Sequence, residues 1–335
     1  MKRIFFATIV IMATMVACNK ENSVSPLSGE TVEVTLTVDV PTGLQTKAIA
    51  DGLSATELSY AVYNADKTEF LPRLSGATPV KVADKHWTLT LTLVKNYTYN
   101  IFFWAQTPGA PYTFDKAAGT VAVYYPGYEN DENGYANDEN RDANDENRDA
   151  FCTLYSVTVP RDAKTFSPAD PAILTRPFSQ INLCATDYEY VSELDLTMKS
   201  KISVNGVADT YNFLTGEVSG NASVDFKLAQ IPAEKGEKIS VNGTEYAYVG
   251  MNYILAPENT KFNADGTPQQ DPKSLTDLGA QFEYNNLTVD VEVPNVPYQR
   301  NFRTNIIGNF FTGDATITIQ IDEAFEKEDY PVQYN

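Results

Sequence analysis

Histidine is almost missing: His86 is the one imidazole in 335 residues. That excludes metal centres built from several histidines and leaves a serine triad a single available base. Basic residues are scarce too, 25 Lys+Arg against 44 Asp+Glu, for a net charge of −19. A nucleic-acid binder needs a basic footprint to displace phosphate counterions, so nucleic acid is excluded as a partner. No run of 18 consecutive apolar residues follows the N-terminal segment, so no membrane-spanning helix is expected there. Apolar stripes of helical period are absent as well, and only 188–193 reads as a helical turn. What is plentiful favours strands: 20 Tyr and 17 Phe, mostly among Val, Thr and Ile. At 43% hydrophobic the chain is too apolar for disorder throughout, and its length suits two domains.

The N-terminus decides the expected compartment. Lys2 and Arg3 precede an uncharged, mostly apolar run over 4–17. That run is too short to cross about 30 Å of hydrocarbon as a helix and has the length of a signal-peptide core. It ends in Met15-Val16-Ala17-Cys18, which resembles a bacterial lipobox, whose cysteine is lipidated and becomes the new N-terminus. Residues 1–17 therefore read as a signal peptide and 18–30 as a lipidated tether broken by Pro26. Asn19-Lys20-Glu21-Asn22 resembles the surface-export tag of Bacteroidetes lipoproteins. The expected location is the outer membrane, lipid-anchored through Cys18 and facing outward, since several acyl chains anchor stably where one is marginal. Export makes a Cys152–Cys184 disulfide chemically possible, but sequence spacing leaves it open; both lie in apolar runs where buried thiols also occur.

Residues 31–40 alternate with period two. Val32, Val34, Leu36, Val38 and Val40 share one face, with Glu33, Thr35, Thr37 and Asp39 opposite, the signature of a half-buried strand. Further strand patterns recur at 58–63, 87–94, 97–105, 120–125, 153–159 and 173–184. A second series follows at 194–204, 223–229, 246–255, 287–293, 299–307 and 316–321, with Pro, Gly, Asn and Asp in nearly every gap. The break at Lys95-Asn96 predicts a hairpin. About seven strands per half suggest two Greek-key β-sandwiches, 31–187 and 188–335.

Within the first lies a tandem repeat: Asp131–Asn137 (DENGYAN), Asp138–Asn144 (DENRDAN) and Asp145–Phe151 (DENRDAF). It lacks the apolar positions of a coiled-coil heptad. Residues 129–149 hold nine acidic and two basic side chains, which predicts a solvated, mobile loop. An EF-hand count from Glu129 places Gly134 sixth but Asn140 twelfth, where a bidentate Glu is needed, so no calcium site is expected.

Catalytic chemistry is hard to find. His86 stands beside Trp87 at a strand start without a nearby nucleophile signal. Gly216 and Gly220 lie in a turn-rich hairpin, not in a phosphate loop before a helix. Ile101-Phe102-Phe103-Trp104 would be a sugar platform if exposed, but consecutive apolar residues suit a strand buried on both faces. No enzyme activity, cofactor or metal is expected. An alternative function is a monomeric surface lipoprotein that binds glycans through exposed aromatics.

Several phrases together resemble the fimbrillins and Mfa-like relatives of Bacteroidetes. They are Leu58-Ser59-Tyr60-Ala61-Val62-Tyr63, Tyr97 to Ala105, and Arg176-Pro177-Phe178-Ser179-Gln180-Ile181. Asn144-Asp145-Glu146-Asn147-Arg148-Asp149-Ala150-Phe151, Arg300 to Gly308 and Ile317 to Asp322 complete the set in order. The resemblance implies an all-β chain of two transthyretin-like sandwiches, exported as a lipoprotein and built into a surface fimbria. It also implies assembly by strand exchange, in which a protease removes the first strand and a neighbour's C-terminal strand fills the groove. Matched to this sequence, the cut falls at Lys47, the one basic residue between Lys20 and Lys67. The displaced strand carries Val32, Val34, Leu36, Val38 and Val40, and the donor strand Ala315, Ile317, Ile319 and Ile321. Implied partners are neighbouring fimbrial subunits, membrane lipid at Cys18, and host or bacterial surface ligands. The expanded acidic loop departs from the family's pattern.

Overall fold

The computed structural model describes residues 29–40, 52–126, 142–192, 197–257, 273–312 and 317–322. The chain is all-β. Its strands begin with β1 (Thr31–Asp39), β2 (Glu57–Tyr63), β3 (Val80–Ala83), β4 (His86–Val94), β5 (Thr98–Gln106), β6 (Tyr112–Asp115) and β7 (Thr120–Val123). There follow β8 (Ala150–Thr158), β9 (Ala172–Ile173), β10 (Phe178–Ala185), the helical turn α1 (Tyr188–Ser192), β11 (Met198–Val207), β12 (Thr210–Asn212), β13 (Val218–Ser219) and β14 (Ala222–Asp225). The remainder are β15 (Ala229–Gln230), β16 (Lys238–Val241), β17 (Thr244–Leu255), β18 (Lys273–Tyr284), β19 (Leu287–Tyr298), β20 (Arg303–Gly308) and β21 (Ile317–Asp322).

Two sheets face each other at the N-terminal end, in the orders β3-β4-β1-β9 and β2-β5-β8. Their shared core joins Val34, Leu89 and Leu91 to Val62, Ile101 and Phe103. A second pair, β16-β17-β10-β20-β21 and β14-β11-β18-β19, closes on Ile181, Leu183 and Val249 against Ile202, Leu278 and Phe282. A small fifth sheet, β13-β12-β7-β6, is hydrogen-bonded from both halves of the chain. It lays Phe213 flat on Phe102, centroids 3.9 Å apart and planes 7° from parallel. That cover explains why β5 is buried on both faces, and it places Ile101, Phe102, Phe103 and Trp104 in the core. The glycan-platform use of this run is thereby excluded.

Three strand pairings cross Asp187. β10 precedes it yet pairs with β17 and β20, and β7 pairs with β12. A division of the chain at that residue would part β10 from both neighbours.

The break at Lys95-Asn96 is not a hairpin, because β4 and β5 belong to different sheets. Its backbone N–H groups donate to Glu30 and Val159 carbonyls instead of to each other's strand, so the chain crosses from one layer to the next. A true hairpin forms at β18–β19, where Asn285 and Asn286 both take the positive φ that a type I′ turn requires (46° and 61°).

The repeat needs a larger correction. Its third unit is packed, not a solvated loop. Arg148 is 2% and Asp149 1% exposed, and Ala150 and Phe151 already belong to the buried start of β8. Ahead of it, Asn144 donates to Ser200 Oγ and accepts from Met251 N–H, while its own N–H donates to Met251 O. The last two charges fail as a solvation signal because Asp149 is paired and Arg148 is laid against rings. Arg176 grips Asp149 through two bonds of 2.8 and 2.7 Å, and Arg148 lies over Tyr125 and Phe226.

Candidate functional site: the first strand and its groove

Alternation in 31–40 does what its pattern requires. Val32, Val34, Leu36, Val38 and Val40 are at most 5% exposed, whereas Thr31 and Glu33 face water. Along one edge β1 is fully zipped, Thr31 opposite Val94 through Asp39 opposite His86. Along the other edge the contacts are sparse. β9 pairs only at Val38 and Asp39, and Phe166 exchanges two backbone bonds with Glu33 and Thr35, 3.0 and 2.9 Å.

Both ends of β1 carry a side-chain latch. Lys95 Nζ meets Glu30 at 2.8 Å on the N-terminal side, and His86 Nδ1 pairs with Asp39 on the C-terminal side. His86 is thus a half-exposed latch on a strand end, bonded to a carboxylate. Burying five aliphatic side chains stabilises the strand by roughly 8–15 kcal/mol before the entropy cost of ordering it. The terminal pairs are partly exposed and add little.

The candidate donor strand is elsewhere in the fold. β21 pairs with β20 over Gly308–Ile317, Ile306–Ile319 and Thr304–Ile321, at the end of its own sheet. Ile317 and Ile319 are half-buried there and pack on the second core. Cys18, Lys47 and Ala315 lie outside the described residues. Cys152 and Cys184 are buried thiols with no disulfide between them, and burial pushes the Cys184 thiol up to about 12. Among the described residues no group of His, Cys, Asp and Glu side chains is placed to hold a metal ion. No helix there is long and apolar enough to cross a membrane.

One feature that sequence reading missed is the buried Asp149–Arg176 pair. Desolvation pushes the Asp149 carboxyl upward, and the Arg176 guanidinium pulls against it. Phe151 caps that guanidinium at 4.4 Å.

With the groove described, the sequence can be set beside known proteins. Residues 26–334 match one family along nearly their whole length. The chain belongs to DUF6562, a family of unknown function. No curated protein sequence matches it. Among solved structures, a “putative cell adhesion protein” from Bacteroides ovatus shares this DUF6562 fold with a TM-score of 0.50 at 10% identity, covering 90% of this chain and 100% of that one. Another so described, from Bacteroides uniformis, gives 0.47 at 10% identity over 86% and 99%. The tip fimbrial protein Mfa3 from Porphyromonas gingivalis, truncated at its C-terminus, gives 0.45 at 12% over 88% and 99%. Its structural neighbours are thus Bacteroidetes fimbrial and adhesion proteins, and the likeness is one of fold.

Proposed function

We propose that this DUF6562 chain is a fimbrillin-like structural or adhesive subunit of a cell-surface fimbria. It is exported as a lipoprotein anchored at Cys18 and assembled by β-strand exchange after cleavage at Lys47. The observation that carries the reading is β1 itself. It is an N-terminal strand zipped along its whole length to one neighbour, held on its other edge by fewer bonds from Phe166 and β9, and seated by aliphatic side chains spaced two residues apart. Loss of such a strand leaves a groove whose sockets repeat with strand period, and a donor of the same period restores the burial and the backbone bonds. Ala315, Ile317, Ile319 and Ile321 supply that period. The donor must first leave β20, so its six intramolecular pairs hold back exchange. The fold is shared with a Bacteroides ovatus chain described as a cell adhesion protein, which agrees with a place at the cell surface.

The test is to treat soluble protein with a trypsin-like protease and compare it with Lys47→Ala. Cut wild type is expected to form concentration-dependent oligomers visible by electron microscopy, and Lys47→Ala to stay monomeric. Equal assembly of both, or a cut protein that remains monomeric at high concentration, refutes exchange through this groove. Separately, Cys18→Ser is expected to release the protein from the membrane fraction; wild-type partitioning by the mutant refutes the anchor.

A further inference from the structure

An open cavity of about 370 Å3 lies between α1, the loop before β16 and the β16–β17 hairpin, far in the chain from the β1 groove. It falls within the roughly 300–1,000 Å3 of small-molecule sites. Two half-buried tyrosines, Tyr188 and Tyr246, line it together with Glu189, Glu237, Glu245 and Lys238. Small residues let a ligand approach closely: a Cβ built on Gly236 meets no atom within 4 Å.

Tyr188 is held in place before any ligand arrives. Its hydroxyl donates to Glu234 at 3.3 Å, and its ring leans on Phe311. The buried carboxylate of Asp187, just ahead of α1, accepts from the N–H groups of Phe310, Phe311 and Thr312 and from the Thr312 hydroxyl. The helical turn is thereby fixed to that loop, and a preorganised wall costs less to bind.

We propose that this cavity binds a neutral saccharide. Tyrosine rings offer apolar faces to sugar C–H groups, and the carboxylates accept from sugar hydroxyls. Glu189, Glu237 and Glu245 against Lys238 leave the lining at −2, which repels uronic, sialylated and sulfated sugars. The ligand class follows from rings plus acceptors plus that sign of charge.

The test is a glycan array and saturation-transfer NMR on the unprocessed protein, whose outcome is independent of strand exchange. The probes are neutral hexose and N-acetylhexosamine oligomers and their sialylated and sulfated counterparts. Neutral probes are expected to be retained over acidic ones, with affinity about tenfold lower in Tyr246→Ala, the worth of one aromatic contact. Glu189→Ala, an exposed change that leaves the core alone, is expected to weaken binding severalfold. Tyr190→Ala, exposed on the same helical turn but outside the lining, is expected to leave it unchanged. Retention of no neutral probe, equal retention of acidic ones, undiminished binding by both Tyr246→Ala and Glu189→Ala, or equal loss in Tyr190→Ala overturns the proposal.

Discussion

Deleting one repeat unit gives two proteins of equal length that differ at a single residue. Removal of 138–144 joins DENGYAN to DENRDAF, and removal of 145–151 joins DENGYAN to DENRDAN, each followed by Cys152. In both, Ala136-Asn137 moves into the places of Ala143-Asn144, so the bonds from Asn144 to Ser200 and Met251 can be remade. Both also keep an Arg and an Asp for the sites of Arg148 and Asp149. The first retains Phe151, and the second puts Asn144 in its position. Phe151 is 2% exposed, pairs with Ala105 across β5–β8, and caps Arg176. Losing a buried Phe costs about 3–5 kcal/mol, and the amide left in its place adds desolvation. Loop shortening by seven residues contributes well under ~1 kcal/mol. At about 2–4 °C per kcal/mol for a chain of this size, deletion of 138–144 should leave Tm within ~4 °C of wild type. Deletion of 145–151 should lower it by ~8–15 °C, and Phe151→Asn in the full chain should do the same. Differential scanning calorimetry on the three variants decides it. Equal Tm for the two deletions, or a fall of more than ~5 °C for the first, refutes the view that neighbouring units are interchangeable in this socket.

Two further outcomes follow from the buried charges and hydroxyls. Arg176→Met leaves Asp149 buried without its bidentate partner and should cost about 3–5 kcal/mol, whereas adding Asp149→Asn should recover part of that loss; strict additivity in a urea-unfolding cycle refutes the pairing. Stability should fall as pH rises from about 9 to 12, because the folded state holds protons that the unfolded state has released: Cys184 from 9.0 and Tyr63 from 10.0 are both raised to about 12, chiefly by burial. Urea midpoints at pH 8, 9.5 and 10.5 check the sign, and Cys184→Ala should flatten the first part of the slope.

Strand content was legible wherever one face meets water. β1 and β4 alternate cleanly because each has a core side and a solvent side, and both were placed within a residue or two. β18 escaped because its buried positions change parity, Leu275 first and then Leu278, Ala280 and Phe282. β3 escaped for another reason: all four of its residues are exposed, and Val80-Lys81-Val82 is too short an alternation to mark a strand. Period-two reading detects a strand's faces, and it fails where those faces switch or where neither is buried.

The limits at the sites are of a different kind. Composition counted the acids of 129–149 correctly and took them as solvated, yet Asp149 finds Arg176 from 27 residues away. Only tertiary pairing separates a buried charge from a solvated one, and tertiary pairing has no local signature. The β1 groove stands at the other extreme, because Val32, Val34, Leu36, Val38 and Val40 announce both the strand and its sockets. What alternation could not announce is how the far edge is held: two pairs with β9, a bond from Leu174 N–H to Asp39 O, and two bonds with Phe166. One edge is zipped along nine residues and the other is held near its middle by Phe166 and at its C-terminal end by β9, an asymmetry that the proposed strand exchange would use. Under that proposal β4 would remain as a template, so an incoming strand would meet a preformed ladder on one side and a row of sockets beneath.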